Sequence, residues 1–228
     1  MHVEIWSDIA CPWCYVGKRR FEAALAGFEH RDEVRVTWRS FELDPHAPRE
    51  RAEDGATHLA EKYGTSREQA LVMQASMTEV AAAEGLDFRF DRARGGSTFD
   101  AHRLLHLADV HDVQDALKER LLRAYLTEGE LIGDAAVLER LGVEVGLPRD
   151  EVRDLLATDR FAAEVREDER TGTALGITAV PFFVVDRRVG AAGAQPAELL
   201  GELLRQARPA PAPVPVVAAG ATCGPDGC

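Results

Sequence analysis

Basic residues are scarce in this sequence relative to acidic ones, with 27 Lys and Arg against 39 Asp and Glu and a formal net charge of −12. Such a balance repels phosphate backbones and anionic lipid surfaces, which argues against nucleic acid and membranes as partners. The 228 residues also contain no apolar run of the length that a bilayer-spanning helix needs. We therefore expect a globular protein that binds neither nucleic acid nor membrane.

Cysteine is infrequent too, with four residues in the whole chain. The first residues run directly into a strand-like segment without a basic and apolar leader, so we expect a cytoplasmic protein. In a reducing cytosol, four cysteines are not expected to serve as stabilising crosslinks. Catalysis, redox sensing or metal binding is their expected use.

The order of sequence patterns is typical of an interrupted sheet. A strand, a helix and a second strand are predicted within residues 2–43, and residues 49–171 have helical patterns only. Strand patterns return in residues 180–192, before a last helix that begins at Pro196. This order predicts one mixed sheet with an inserted helical domain.

Two local details of these helices are also predicted. Thr65 and Glu68 have the spacing of a capping box at a helix start. The last helix is expected to bury Leu199, Leu200, Leu203 and Leu204.

Cys11 and Cys14 form a C-x-x-C motif at the first strand-to-helix junction, which is typical of thioredoxin-type redox sites. Residues three apart share one helix face, and the helix start favours an anion, so the Cys11 thiolate should form below the free pKa of ~8.5. Cys11 would attack a substrate disulfide, and Cys14 would resolve the mixed disulfide. Because Pro12 and Trp13 carry no basic group, we expect the redox poise to come from the helix and the backbone, not from a neighbouring cation.

Two other uses of the cysteines stay open at this point. Zinc sites also use C-x-x-C motifs, but the remaining pair, Cys223 and Cys228, has a C-x-x-x-x-C spacing that matches a zinc site only loosely. A structural pair without chemistry is the other alternative.

Val180-Pro181 is a second candidate element of the site. A proline can begin a strand where its missing amide is not needed by the sheet. If this bond is cis, the Val180 backbone would turn toward a neighbouring loop and could pair with an extended substrate. A trans proline at a strand start is the simpler alternative.

Four segments together carry a resemblance to a known family. They are residues 7–18 (SDIACPWCYVGK), 97–105 (STFDAHRLL), 176–184 (GITAVPFFV) and 193–196 (GAQP). In this order, over nearly all of residues 1–208, they resemble the FrnE-like branch of the DsbA family. The resemblance implies an α/β fold, namely a thioredoxin-like fold with an inserted all-helical domain, followed here by a proline-rich C-terminal tail.

The resemblance also implies a function, which is thiol-disulfide oxidoreductase or isomerase activity. Cys11 would be the nucleophile, Cys14 the resolving cysteine and Pro181 a cis proline that faces them. Protein or small-molecule thiols and disulfides would be substrates, with glutathione or a thioredoxin system as reductant. We predict no cofactor and no metal, and a homodimer stays open. Related families that bind glutathione, including isomerases of small aromatic molecules, have serine where this chain has Cys11. That difference counts against a glutathione-dependent isomerase, which is kept as the alternative function.

On this basis we divide the chain into four segments. They are residues 1–44 and 172–208 for the thioredoxin-like domain, 45–171 for the helical insertion and 209–228 for the tail.

The tail begins with four prolines in residues 209–215, which predicts an extended tether. It ends in a turn sequence at 224–227 that would hold Cys223 and Cys228 near each other. We hypothesise that they form a second redox couple, which exchanges with the first. The alternative is a disordered tail whose thiols have little role.

Two further pairs of residues are expected to have structural roles. His102 and His106 would share a helix face, but no carboxylate follows at the spacing of zinc hydrolases, so we expect a packing or surface role. Met73 and Met77 are expected in the core.

Overall fold

The computed structural model describes residues 1–208, and it places strands and helices in the predicted order. The strands are β1 (His2–Ser7), β2 (Arg35–Ser40), β3 (Phe182–Val185) and β4 (Val189–Ala192). The helices are α1 (Pro12–Ala26), α2 (Gly55–Tyr63), α3 (Arg67–Ala83), α4 (Phe99–Val110), α5 (Gln114–Arg123), α6 (Ala135–Glu144), α7 (Arg149–Ala157), α8 (Ala162–Ala174) and α9 (Ala197–Ala207). The predicted tether and the Cys223 and Cys228 pair lie outside the described residues.

The four strands form one mixed sheet in the order β2-β1-β3-β4. β1 pairs with β2 in parallel, whereas β3 pairs with β1 and β4 in antiparallel fashion. A parallel pair needs a crossover connection, and α1 supplies it between β1 and β2. β3 and β4 are close in sequence and are joined by a short turn. This is the thioredoxin-like fold that the sequence predicted.

The two faces of the sheet pack against different helices. Val3 and Ile5 of β1 point to the face covered by α1 and α9, where they pack with Phe183. Trp6 points the other way, is fully buried and donates from Nε1 to the carbonyl oxygen of Asp168 in α8 at 2.9 Å. Alternation along β1 therefore matches the period of two expected for a strand that is covered on both sides.

The helices from α2 to α8 are inserted between β2 and β3, so the predicted helical insertion is confirmed. Its core is a cluster of buried leucines around Leu104, Leu117 and Leu121, distinct from the cluster beneath the sheet. Ile9, in the loop before α1, belongs to this helical cluster. The loop that carries Cys11 is thus held by the insertion as well as by the sheet.

The predicted capping box of α3 is wrong by one residue. The capping box of α3 is formed by Ser66 and Gln69, not by Thr65 and Glu68. The reason is that the Thr65 amide is already used at the end of α2, where it donates to the Ala60 carbonyl oxygen at 3.0 Å.

In α9, Leu200 and Leu204 are buried as predicted, but Leu199 is exposed. Within residues 1–208, no helix is both long and apolar enough to cross a membrane. The segment boundaries at 45 and 172 stay predictions.

Candidate active site

Cys11 occupies the N-cap position of α1, with the extended backbone angles φ −95° and ψ 112° that a cap requires. Pro12 is the first helical residue, where its missing amide costs no helix hydrogen bond. The Cys14 amide donates to the Cys11 carbonyl oxygen at 3.1 Å, which closes the first turn and brings both side chains to one face. Both thiols are free.

The two cysteines differ in access. Cys11 is 5% exposed and lines a cavity of about 680 Å³, together with Pro12, Trp13 and Val180. Cys14 has no exposed surface and is not part of the cavity wall. A substrate that enters the cavity therefore meets the sulfur of Cys11 first.

The Val180-Pro181 peptide bond is cis. It lies beside the cysteines, because the Cys11 sulfur is 3.7 Å from the Val180 carbonyl oxygen. Pro181 packs directly on Gly17 of α1, where a Cβ atom would stand only 2.8 Å from the proline Cγ. A glycine at this position allows the strand start and the cysteine-bearing helix to approach closely.

A buried carboxylate anchors the loop before Cys11. Asp8 accepts the Ile9 amide at 2.7 Å and the Leu43 amide at 2.8 Å, and the Nε2 atom of His102 is 3.3 Å from its Oδ1. Burial opposes ionisation of Asp8, but these hydrogen bonds outweigh it and lower its pKa. The ionised Asp8 therefore ties this loop to α4 and to the segment after β2.

The two thiols titrate as a pair. The neighbouring Cys14 thiol, together with burial, raises the pKa of Cys11 well above its ordinary value. Burial opposes ionisation of Cys14 as well, but the neighbouring Cys11 thiol and the charge of Lys118 lower its pKa. Burial and the neighbouring thiol therefore oppose the low pKa expected for Cys11, and the ionisation of the reduced pair belongs to both sulfurs.

The far wall of the cavity comes mainly from the helical insertion and carries several large apolar side chains. Tyr63 at the end of α2, Val72 and Met73 of α3, and Leu43 after β2 all line it, and each is well exposed. Met73 is therefore not a core residue as predicted, whereas Met77 is buried.

The comparisons with known proteins agree with this geometry. Residues 2–205 match the sequence profile of the DSBA-like thioredoxin domain. The chain belongs to this family. It is a DsbA-like thiol-disulfide oxidoreductase, and the predicted family, fold and enzyme class are confirmed.

Three relatives show how far this DsbA-like chain resembles individual proteins. A probable DsbA oxidoreductase from Streptomyces coelicolor is 50% identical, with 100% of this chain and 98% of that chain covered and a TM-score of 0.88. The uncharacterized protein YwbO of Bacillus subtilis is 29% identical over 197 residues, or 85% of this chain and 92% of YwbO. The cytosolic disulfide reductase DsbM from Pseudomonas aeruginosa, solved with glutathione, is 20% identical, with 90% and 98% covered and a TM-score of 0.65. DsbM shares the fold.

One charged residue of this DsbA-like site was not predicted from the sequence. Lys118 of α5 is fully buried beneath the cysteines, and its Nζ donates to the Ser7 carbonyl oxygen at 3.2 Å. The expectation that no cation neighbours the cysteines is therefore wrong. A local signal exists, because Lys118 shares a helix face with Leu121 and Leu122, and a lysine on an apolar face is unusual.

The other predicted groups have structural surroundings. His102 is buried against Asp8, and the Nε2 atom of His106 is 3.2 Å from Asp168 Oδ2, so both have packing roles. In the part of the chain that the structure describes, no group of three or more His, Cys, Asp or Glu side chains is arranged to hold a metal ion.

Proposed function

We propose that this DsbA-like protein catalyses dithiol-disulfide exchange in the cytoplasm through Cys11 and Cys14. When the remaining proton of the reduced pair is on Cys14, the Cys11 thiolate attacks a substrate disulfide. A bond forms between Cys11 and one substrate sulfur, and the other substrate sulfur leaves as a thiolate. Cys14 passes its proton to the substrate thiolate released first and attacks Cys11, which releases the second substrate thiolate and leaves a Cys11-Cys14 disulfide.

One observation carries this proposal. The Cys11 sulfur stands at the cavity wall, 3.7 Å from the carbonyl oxygen that precedes Pro181, while Cys14 lies fully buried one turn away. An extended substrate could pair with the Val180 backbone, as strands do when they add to a sheet edge. This arrangement supports Cys11 as the nucleophile, Cys14 as the resolving cysteine, and Val180 and Pro181 as substrate-positioning residues.

We propose glutathione as the reductant, with a thioredoxin system as the alternative. A small thiol can enter the cavity and attack the disulfide without a dedicated pocket. The relative DsbM is described as a cytosolic disulfide reductase and was solved with glutathione, which supports both the reductant and the compartment. Membership of the FrnE-like branch, isomerase activity and a homodimer belong to the same proposal.

The sequence adds a second couple to the proposal. Cys223 and Cys228, which lie outside the described residues, would exchange with Cys11 and Cys14 and so carry electrons between the reductant and the first couple.

Two variants test the first couple, each made in a chain whose Cys223 and Cys228 are also replaced by serine. Cys14→Ser should accumulate a mixed disulfide between Cys11 and glutathione, because no resolving thiol remains, and intact mass should show the adduct. Cys11→Ser should form no such adduct and should lose exchange with a peptide disulfide. If Cys14→Ser forms no adduct while Cys11→Ser keeps activity, another group is the nucleophile.

The same preparations separate the alternatives. Zinc bound after purification, without reductase turnover, would favour a zinc-binding interaction protein that uses all four cysteines. Saturable glutathione binding by Cys11→Ser would favour a glutathione-dependent isomerase of small aromatic molecules.

A further inference from the structure

A buried lysine lies behind the cysteine pair and has no ordinary structural partner. Lys118 has no exposed surface, and its Nζ donates to the Ser7 carbonyl oxygen and lies 5.5 Å from the centroid of the Trp38 ring. Within residues 1–208 it forms no ion pair with a carboxylate. A buried ammonium group normally requires a paired charge, because its desolvation costs several kcal/mol.

The charges that face Lys118 come from every element packed around it. Helix α1 contributes Cys14, Cys11 and Lys18, and the loop after β1 contributes Asp8. His102 of α4 also feels the charge of Lys118, which helps to keep that imidazole neutral. Burial lowers the pKa of Lys118 to about 8, and attraction to Cys14, the largest opposing effect, and to Asp8 keeps it from falling further.

Lys118 is the cation whose charge favours ionisation of Cys14. Its charge lowers the pKa of Cys14, and Lys118 is in turn attracted to the charges of Cys14 and, more weakly, Cys11. Ser7 also joins the two, because its carbonyl oxygen accepts from Lys118 and its hydroxyl stabilises the Cys14 thiolate. Besides the permanent charge of Asp8, the buried lysine thus faces an anion that forms only when the disulfide is reduced.

We propose that Lys118 is a positioning residue that holds a positive charge behind Cys14 and so stabilises the reduced pair relative to the disulfide. The inference rests on the proposed exchange reaction and concerns its equilibrium. In that reaction two glutathione molecules become one glutathione disulfide, and two electrons and two protons pass to Cys11 and Cys14. One proton then leaves to solvent as the thiolate forms, and Lys118 offsets the negative charge.

Lys118→Met tests the inference, because methionine has a similar length and no charge. The contacts of Lys118 with Ser7 and Asp8 are lost from both redox forms, but only the reduced form also loses an interaction with a thiolate, so it should be destabilised relative to the disulfide. We expect half-reduction in glutathione buffers to need an [GSH]²/[GSSG] ratio about tenfold higher, which is a potential about 30 mV more negative. The thiolate absorbance near 240 nm should titrate at higher pH than in the wild type.

Lys18→Met is the matched control. Lys18 is also buried, at 2% exposure, and its Nζ lies 5.8 Å from the same Trp38 ring, but it ion-pairs with Glu22, Asp115 and Glu119. Its charge already has carboxylate partners, so the glutathione equilibrium should change less than twofold. Equal shifts in the two variants would overturn the inference.

A purely structural role for Lys118 makes a different prediction. In that case Lys118→Met would lower the stability of the oxidised and reduced proteins equally and leave the glutathione equilibrium unchanged. If the variant fails to fold, the wild type and Cys14→Ser can be compared instead by following the Lys118 amine by NMR. Removing the thiolate should lower the pKa of Lys118, and an unchanged pKa would overturn the inference.

A different result would refute the proposed exchange reaction without refuting the role of Lys118. A wild-type protein that never exchanges with glutathione or a peptide disulfide would refute the exchange reaction. The absorbance titration of the reduced thiols needs no exchange, so it would still decide whether Lys118 stabilises the Cys14 thiolate.

Discussion

At the scale of single residues, the site depends on one glycine that the sequence alone does not mark. Gly17 is buried in α1, and its hydrogen in place of a side chain lets Pro181 lie against the helix. A glycine inside a helix normally costs about 0.5 to 1 kcal/mol relative to alanine. Its presence here is explained by the close approach of Pro181 and not by helix propensity.

Gly17→Ala should therefore destabilise the protein even though it improves the helix. The new methyl group would stand 2.8 Å from Pro181 Cγ and 3.5 Å from Phe183 Cζ, so the strand start must move. Overpacking of this kind costs about 1 to 3 kcal/mol, which exceeds the gain in propensity. Urea denaturation should show a free energy of unfolding lower by about 1 to 2 kcal/mol.

Gly201→Ala in α9 is the matched control for this prediction. Gly201 is also a buried helix residue, but the nearest atom to an added Cβ is Arg205 Nη1 at 3.5 Å, an ordinary contact. We expect unchanged or slightly increased stability. Equal losses in both variants would show that the contact with Pro181 is not the cause.

The cysteines and Lys118 show what can be predicted at this scale. Cys11 and Cys14 are three residues apart at a strand-to-helix junction, so one local pattern contains the helix cap and the paired thiols. Lys118 lies 104 residues after Cys14, and only the packing of α5 behind α1 brings them together. The low pKa expected for Cys11 considered only the start of α1. It did not include burial, the neighbouring Cys14 thiol or Lys118.

At the scale of elements, strand and helix order followed from periodicity, while exposure along single helices did not. The apolar stripe on α3 correctly placed Met77 in the core, but Met73 faces the cavity at 43% exposure. Periodicity identifies an apolar face but not whether that face meets protein or open space. The exposed end of the stripe on α3 is therefore better explained as a binding surface than as a core.

Met73→Ser tests this surface. A peptide substrate that covers the cavity wall would lose apolar contact, so KM for a peptide disulfide should rise about three- to tenfold. Turnover with glutathione disulfide, which is too small to cover the wall, should not change. Steady-state kinetics with both substrates would measure the difference.

Leu71→Ser is a suitable control, because Leu71 is 44% exposed on the same helix but does not line the cavity. Its substitution should leave KM for the peptide unchanged. If both variants raise KM alike, the effect belongs to the stability of α3 and not to the cavity.

At the scale of the whole molecule, the insertion helps to build the active site. It supplies Lys118 below the cysteines, Met73 across the cavity and His102 against Asp8. Ile9 in turn packs into the helical core, so the cysteine loop is fixed from both sides. The sequence indicated that helices are inserted, but the contacts between the insertion and the thioredoxin-like part are long-range and leave no periodic signal.

Trp13 offers a way to follow this molecule as it changes redox state. It is the exposed one of three tryptophans, at 45%, and it stands between the two cysteines, whereas Trp6 and Trp38 are buried. Its fluorescence should therefore respond to formation of the Cys11-Cys14 disulfide.

The last prediction concerns the exchange between the two cysteine pairs. Replacing both Cys223 and Cys228 with serine should slow the reduction of the Cys11-Cys14 disulfide by glutathione or by a thioredoxin system, because the proposed intermediate carrier is lost. The rate would be followed by Trp13 fluorescence. The equilibrium with glutathione should not change, since a carrier alters the rate and not the stability of the first couple.

Thr222→Ser, next to Cys223, is the control for a change in the same segment that keeps both thiols. It should reduce at the wild-type rate. Brief partial oxidation of the wild type should also trap a disulfide between one cysteine of each pair, which peptide mapping would identify. An unchanged rate in the double variant, with no such crosslink, would rule out the exchange and leave Cys11 to react with the external reductant directly.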